Sequence, residues 1–132
     1  LFFELNKYLS KMMKNLEDYK LNINEKHHVE KVDKPSGTAI KLANDIIKNS
    51  NYSSWILDDN TTKNDINIDS YREGNEKGFH EIKYTSKNDE ITISHNAKNR
   101  FSFALGSVLS AEYIIGKKGV FTINDVINNI KI

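Results

Sequence analysis

Residues 25–39 read Glu-Lys-His-His-Val-Glu-Lys-Val-Asp-Lys-Pro-Ser-Gly-Thr-Ala, and this stretch decides how the chain is organised. Upstream of it, Tyr19, Leu21 and Ile23 alternate with Lys20, Asn22 and Asn24, the period of a half-buried strand. Downstream, Ala39, Ile40, Leu42, Ala43, Ile46 and Ile47 recur at helical spacing. Pro35 disfavours a helical Lys34, so the helix is expected to start after it. Ser36 is then the N-cap, with Gly37 and Thr38 in the first turn. The start of a helix carries unpaired N–H groups and partial positive charge, which attract anions. Gly37 has no side chain to keep an anion away. His27, His28 and Lys31 lie just upstream and add positive potential and groups able to titrate near neutral pH. A small carboxylate suits such a junction, with histidine or lysine as proton donor. The same residues also fit an ordinary turn followed by an ordinary capped helix. Successive strand residues face opposite sides, so only one of the two histidines faces a given pocket unless the strand ends there.

The stretch resembles the signature of dihydrodipicolinate reductases, E-x-H-H-x-x-K-x-D-x-P-S-G-T-A. Three later segments extend the likeness in the same order. Arg72-Glu73-Gly74 with Gly78 and His80 resembles the family's R-x-G-x-x-x-G-x-H. Ile93, His95 and Ala97, followed by Arg100, Phe103, Ala104 and Gly106, resemble its I-x-H-x-A-x-x-R-x-x-F-A-x-G. Lys117, Gly119, Phe121, Ile123, Asp125 and Val126 resemble its closing K-x-G-x-(F/Y)-x-(M/I)-x-D-V. Lys34 departs from the pattern, where alanine is usual.

The resemblance implies an NAD(P)H-dependent reduction of 4-hydroxy-tetrahydrodipicolinate to tetrahydrodipicolinate, in lysine and diaminopimelate biosynthesis. It implies His27 as acid/base catalyst and Lys31 as proton donor. It places His28, Ser36, Gly37, Thr38 and Arg100 on the substrate, Gly37 and Thr38 through backbone N–H and Ser36 as the cap. The cofactor, NADPH or NADH, is expected in a Rossmann-type domain that this chain does not contain. None of its glycines falls in a G-x-G-x-x-G strand-turn-helix setting. The isolated chain is therefore expected to bind a dicarboxylate weakly and to show no NADPH-dependent turnover. A non-catalytic dicarboxylate-binding or oligomerisation module is the alternative. The resemblance also implies a cytoplasmic homotetramer.

Composition narrows the classes. Lys plus Arg number 19 and Asp plus Glu 18, so nothing argues for nucleic acid or an anionic membrane as partner. Cysteine is absent, which rules out disulfides and thiolate metal sites. No apolar run approaches a membrane span. Phe2, Leu5, Leu9, Met12, Met13 and Leu16 recur at helical spacing with no cap before them, which leads us to expect a preceding segment.

The remainder reads coarsely. Asn49 to Asn64 is a long polar loop, in which Trp55 either stacks on a ligand or, as we prefer, pins the loop to the core. Ile66 and Ile68 mark a strand. Arg72 to Gly78 reads as a solvated, glycine-containing loop. Phe79–Thr85 and Glu90–His95 form a hairpin through the turn Ser86–Asp89. His80 and His95 on neighbouring strands suggest zinc, but no third ligand is visible and no metal is expected. Phe101–Ile115 is an apolar helix rich in small residues, ended by Gly116 and Gly119 with Lys117 and Lys118. Thr122 and Asp125 look like a capping box opening a last helix. The predicted fold is α+β, an open mixed sheet of about four strands with helices on one face, in the order α-β-α-β-β-β-α-α. Residues 1–100 form the substrate-binding and oligomerisation part. Residues 101–132 are expected to fold back onto the nucleotide domain, so their apolar face is uncovered here.

Overall fold

The computed structural model describes residues 1–57 and 62–129. The element order is α1 (Phe2–Met13), β1 (Lys20–His27), α2 (Gly37–Asn49), β2 (Ser54–Leu57), β3 (Asp65–Arg72), β4 (Phe79–Thr85), β5 (Glu90–Asn96), α3 (Phe101–Ile114) and α4 (Ile123–Asn129). The chain divides into two compact units, Leu1–Asn96 and Ala97–Ile132.

In the first unit the strands form one mixed sheet in the order β2-β3-β1-β4-β5. β1 and β2 run parallel to β3, while β4 lies antiparallel to both β1 and β5. The α+β fold expected from the sequence is present, with one strand more than expected. That strand, Ser54–Leu57, lies inside the stretch that reads as a loop; residues 58–61 of that stretch lie outside the described residues. Four half-exposed residues at a sheet edge are too few to show a period, and their pairing with Asp65–Ile68 makes them a strand. Trp55 sits opposite Ile66 and packs, partly buried, against the core, as preferred from sequence.

The two faces of the sheet differ sharply. Leu21, Ile23, Ile66, Ile68, Ile82 and Tyr84 face Leu42, Ala43 and Ile46 of α2 and Met13 of α1, forming the core. On the other face, Asn22 donates to Asn24 and Asp69, Asn24 donates to Glu81, and Asn67 donates to Asn22 and Asp69. These bonds, within and between strands, engage side chains that have no core to enter, although Asn67 Oδ1 is buried without a partner.

α1 buries a face that its apolar spacing does not announce. Asn6 and Ser10 are buried with Met13, and Asn6 donates to the Leu42 carbonyl at 3.1 Å. Short polar side chains let α1 approach α2 closely. Leu5, Tyr8 and Met12 of this helix are left exposed, as is Leu16 beyond its end.

In the second unit, α3 buries no residue and exposes Phe101, Phe103, Leu105, Val108 and Ile114. Gly116 follows it at φ 73° and ends it in the left-handed manner. The Lys117 ammonium lies 3.0 Å from the Tyr113 ring centre, a cation–π contact near the helix end. Of the capping box read from the sequence one arm is formed: the Thr122 N–H and Oγ1 both donate to the Asp125 carboxylate, at 2.6 and 2.7 Å, while the Asp125 N–H donates to the Thr122 carbonyl and not to its hydroxyl.

Candidate functional site

Strand register assembles the site. Leu21, Ile23, Glu25 and His27 alternate along the helix-facing side of β1, so the apolar row ends in a carboxylate and an imidazole. Glu25 pairs with Ser70 of β3 on one side and His80 of β4 on the other. His27 pairs with Arg72. Side chains opposite one another on one face meet, so five polar groups gather at the carboxyl ends of the parallel strands β1 and β3. Ligands of open sheets containing parallel strands commonly bind at such ends.

Glu25 is fully buried at the centre of this group. The Ser36 N–H donates to its two oxygens at 3.0 and 3.1 Å, and Ser70 donates to Oε1. Both terminal nitrogens of Arg72 reach Oε1 at 3.2 Å. His80 Nε2 lies 3.6 Å from Oε2, and His27 Nδ1 lies 3.4 Å from it. Burial pushes the carboxyl up, but hydrogen bonding from His80, Ser36 and Ser70 outweighs it, and the group is held well below the usual carboxylate range. Glu25 is thus a buried anion with its own cation beside it.

His27 is mostly buried. Burial pushes it down to about 4, reinforced by His80, Lys31 and Arg72 and opposed by Glu25. Its ring meets His80 edge-on, with centroids 5.0 Å apart. Gly78 lines the other side of it: a Cβ there would lie 3.6 Å from His27 Nε2.

The loop between β1 and α2 hangs on Arg72. Its guanidinium donates to the Lys31 carbonyl at 3.3 Å and to the Asp33 carbonyl. Arg72 therefore does not belong to a solvated loop, as its sequence setting suggests; it turns inward because a buried carboxylate awaits it. Lys31 Nζ pairs with Asp33 at 2.7 and 2.8 Å. His28 follows the strand end and is half-buried, and its carbonyl accepts from the Lys31 N–H at 3.1 Å.

α2 begins as its sequence predicts. Ser36 is the N-cap, its Oγ accepting from the Ala39 N–H and sharing a hydrogen bond of 3.1 Å with His80 Nε2. The Ser36 carbonyl accepts from the Ile40 N–H. Among the described residues no protein acceptor meets the Gly37 and Thr38 N–H groups, and Gly37 is exposed. Helix-start donors are thus free next to the residue that binds Glu25. Ser36 is buried with its hydroxyl already engaged, so it shapes the turn. Arg100 lies in the second unit, where it is exposed at the N-cap of α3.

The paired histidines expected from sequence are His80 and His95, and they do sit opposite one another. The metal-like grouping, however, is Glu25, His27 and His80, with ligand atoms within 4.8 Å of one another. His95 instead packs its ring against Phe2, 5.9 Å away. The trio does not fit a resident cation. The oxygens of Glu25 are already occupied by Ser36, Ser70 and Arg72, and a guanidinium 3.2 Å away repels a divalent ion.

Glu25, Ser70 and Arg72 are site residues that the sequence reading assigned no role, and His80 is one it weighed only as a metal ligand. Glu25 at the end of an apolar alternation was the available signal, since a lone carboxylate on a core face requires partners.

The fold and site define an α+β domain with a charged cluster under a helix start, at the carboxyl ends of its parallel strands. A family model described as "Dihydrodipicolinate reductase, C-terminus" matches residues 1–127. Curated relatives named 4-hydroxy-tetrahydrodipicolinate reductase include one from Christiangramia forsetii, 48% identical over 98% of this chain and 54% of the relative. One from Clostridium novyi is 38% identical over 86% of this chain and 47% of the relative. A solved structure, dipicolinate-bound dihydrodipicolinate reductase from Paenisporosarcina sp. TG-14, superposes with TM-score 0.66 at 24% identity, covering 91% of this chain and 48% of that one. The chain belongs to the dihydrodipicolinate reductase C-terminal family, and it spans about half the length of the curated relatives it matches. Among the described residues no helix is long and apolar enough to cross a membrane.

Proposed function

We propose that this chain is the substrate-binding part of a 4-hydroxy-tetrahydrodipicolinate reductase. The assembled enzyme takes a hydride from NAD(P)H and a proton, reduces 4-hydroxy-tetrahydrodipicolinate with loss of water, and releases tetrahydrodipicolinate and NAD(P)+, in lysine and diaminopimelate biosynthesis. It works as a cytoplasmic homotetramer. The nicotinamide supplies the hydride and is held by a nucleotide domain outside this chain.

One observation carries the reading. The free N–H groups of Gly37 and Thr38 lie beside Ser36, which is bonded to the carboxylate that His27 flanks at 3.4 Å. An anion seated on the helix start is therefore close to an imidazole that is neutral at physiological pH. A substrate carboxylate takes the Gly37 and Thr38 N–H groups, and His28, just past the end of β1, offers an imidazole donor to it. Lys31 releases Asp33 when a second carboxylate competes for its ammonium, and then delivers a proton. Approach of a dianion raises the proton affinity of His27, which lets it act as the acid/base group.

The test uses the full-length enzyme containing this chain. His27→Gln and Lys31→Ala should each lower turnover roughly a hundred- to ten-thousand-fold. Near-normal turnover in both variants removes them from the mechanism. The chain by itself should bind pyridine-2,6-dicarboxylate without oxidising NADPH.

A further inference from the structure

We propose that Glu25 is the positioning residue of this site: its buried carboxylate ties the start of α2, through the Ser36 N–H, to Arg72 and to the imidazoles of His27 and His80. The ligand part of this proposal rests on the dicarboxylate reading above.

The argument begins with what a buried anion requires. Glu25 has no exposed surface, and an uncompensated charge there would be very costly. Its partners come from four separate places in the chain: Ser36 at the head of α2, Ser70 and Arg72 on β3, His80 on β4 and His27 on its own strand. No other described side chain joins so many elements. Each partner has a second engagement that passes the constraint outward. Ser36 caps α2 through Oγ and so fixes the turn that presents the Gly37 and Thr38 N–H groups. Arg72 holds the Lys31 and Asp33 carbonyls, so the loop that carries Lys31 is fastened to the same carboxylate. Arg72 also donates to Ser70 at 3.0 Å, closing the network on that side.

His27 is positioned differently. Its Nδ1 is buried without a hydrogen-bond partner, although Glu25 Oε2 is only 3.4 Å away. The carboxylate is already committed to better-aligned donors, so it acts on the ring by charge and contact. The charged or titratable groups facing His27 are Glu25 on its own strand, His80 on β4, Arg72 on β3 and Lys31 in the loop. Glu25 is the single negative charge among these four. Without it, the ring would face only donors and cations, and an imidazolium would have nothing to balance it. Carboxylate, imidazole and helix start therefore behave as one unit.

The experiment uses the 132-residue chain, by NMR and by calorimetric titration with pyridine-2,6-dicarboxylate. In the wild type near neutral pH, the Ser36 amide should be among the slowly exchanging ones, because its N–H donates to both oxygens of a buried carboxylate. A Ser36 amide that exchanges as freely as an exposed one overturns the proposal, whatever the variants do. In Glu25→Gln, the Ser36 amide should exchange roughly tenfold or more faster, because a carboxylate acceptor is replaced by a neutral one. The His27 ring signals should move, while the Ile23 and Ile68 amides stay protected. Dicarboxylate affinity should fall roughly tenfold. Where the unpaired Arg72 prevents folding, Glu25→Gln/Arg72→Gln is read in its place, since it removes both charges. A folded variant with Ser36 exchange and His27 signals of the wild type, or affinity within about twofold of it, refutes the positioning role. A wild-type chain that binds no dicarboxylate defeats the functional reading alone, because the Ser36 and His27 measurements need no ligand.

Discussion

The Ser36 N–H donates to both oxygens of Glu25, at 3.0 and 3.1 Å, across eleven residues of chain. The helix start and the end of the central strand are thereby one structural object. Ser36→Ala keeps this N–H but loses the hydroxyl that caps Ala39 and meets His80. The expected loss is about 1–2 kcal/mol, measured by urea denaturation, with the sheet intact.

Arg72 is the permanent cation opposite Glu25, 3.2 Å away. Arg72→Met leaves the carboxylate buried without it and frees the Lys31 and Asp33 carbonyls. Truncating one partner of a buried pair is strongly destabilising, so a loss of about 3–5 kcal/mol is expected. A loss below about 1 kcal/mol in the same denaturation assay would show that Glu25 finds compensation elsewhere.

Acid should weaken the fold in two stages. Burial lowers His27 from its ordinary 6.5 to about 4, so between those values the unfolded chain holds the extra proton. Stability from this group is complete above 6.5 and lost as the pH falls towards 4, by up to ~3 kcal/mol. Glu25 is depressed from its ordinary 4.5, so its contribution is present above that value and lost below it. Thermal unfolding followed against pH should show both stages. The His27→Gln variant should lose the first and keep the second.

Gly78 adopts φ 140°, a conformation that side chains rarely take. Gly78→Ala should cost about 1–3 kcal/mol through backbone strain. Its new methyl carbon also sits 3.6 Å from His27 Nε2, an ordinary contact distance. Chemical denaturation checks the first effect; an unaltered His27 ring signal would show that the methyl is accommodated.

Helix α1 allows a contrast between neighbours. Asn6 is buried and donates to the Leu42 carbonyl, whereas Leu5 is exposed. Asn6→Leu should cost about 1–3 kcal/mol, since it removes the donor and crowds the contact with α2. Leu5→Gln should change stability by less than about 0.5 kcal/mol. Equal effects in melting experiments would contradict the helix orientation.

The sequence by itself determined the local elements. Alternation at Leu21 and Ile23, the Pro35-Ser36 start signal and the Thr122–Asp125 pairing all depend on neighbours within a few residues, and each is present, the last as one arm of a capping box. Motif likeness named the family, because four ordered segments carry information that no single one does. Only the tertiary structure decided which strands lie beside β1. The pairing of Glu25 with Ser70 and His80, and of His27 with Arg72, follows from sheet order and register across 45 to 55 residues of chain. No local pattern encodes that register. It also reversed two local readings: Arg72 turned inward to a charge, and Ser54–Leu57 became a strand against β3. Burial of Glu25 is the common physical reason for the site, because a carboxylate removed from water must collect donors from every element within reach.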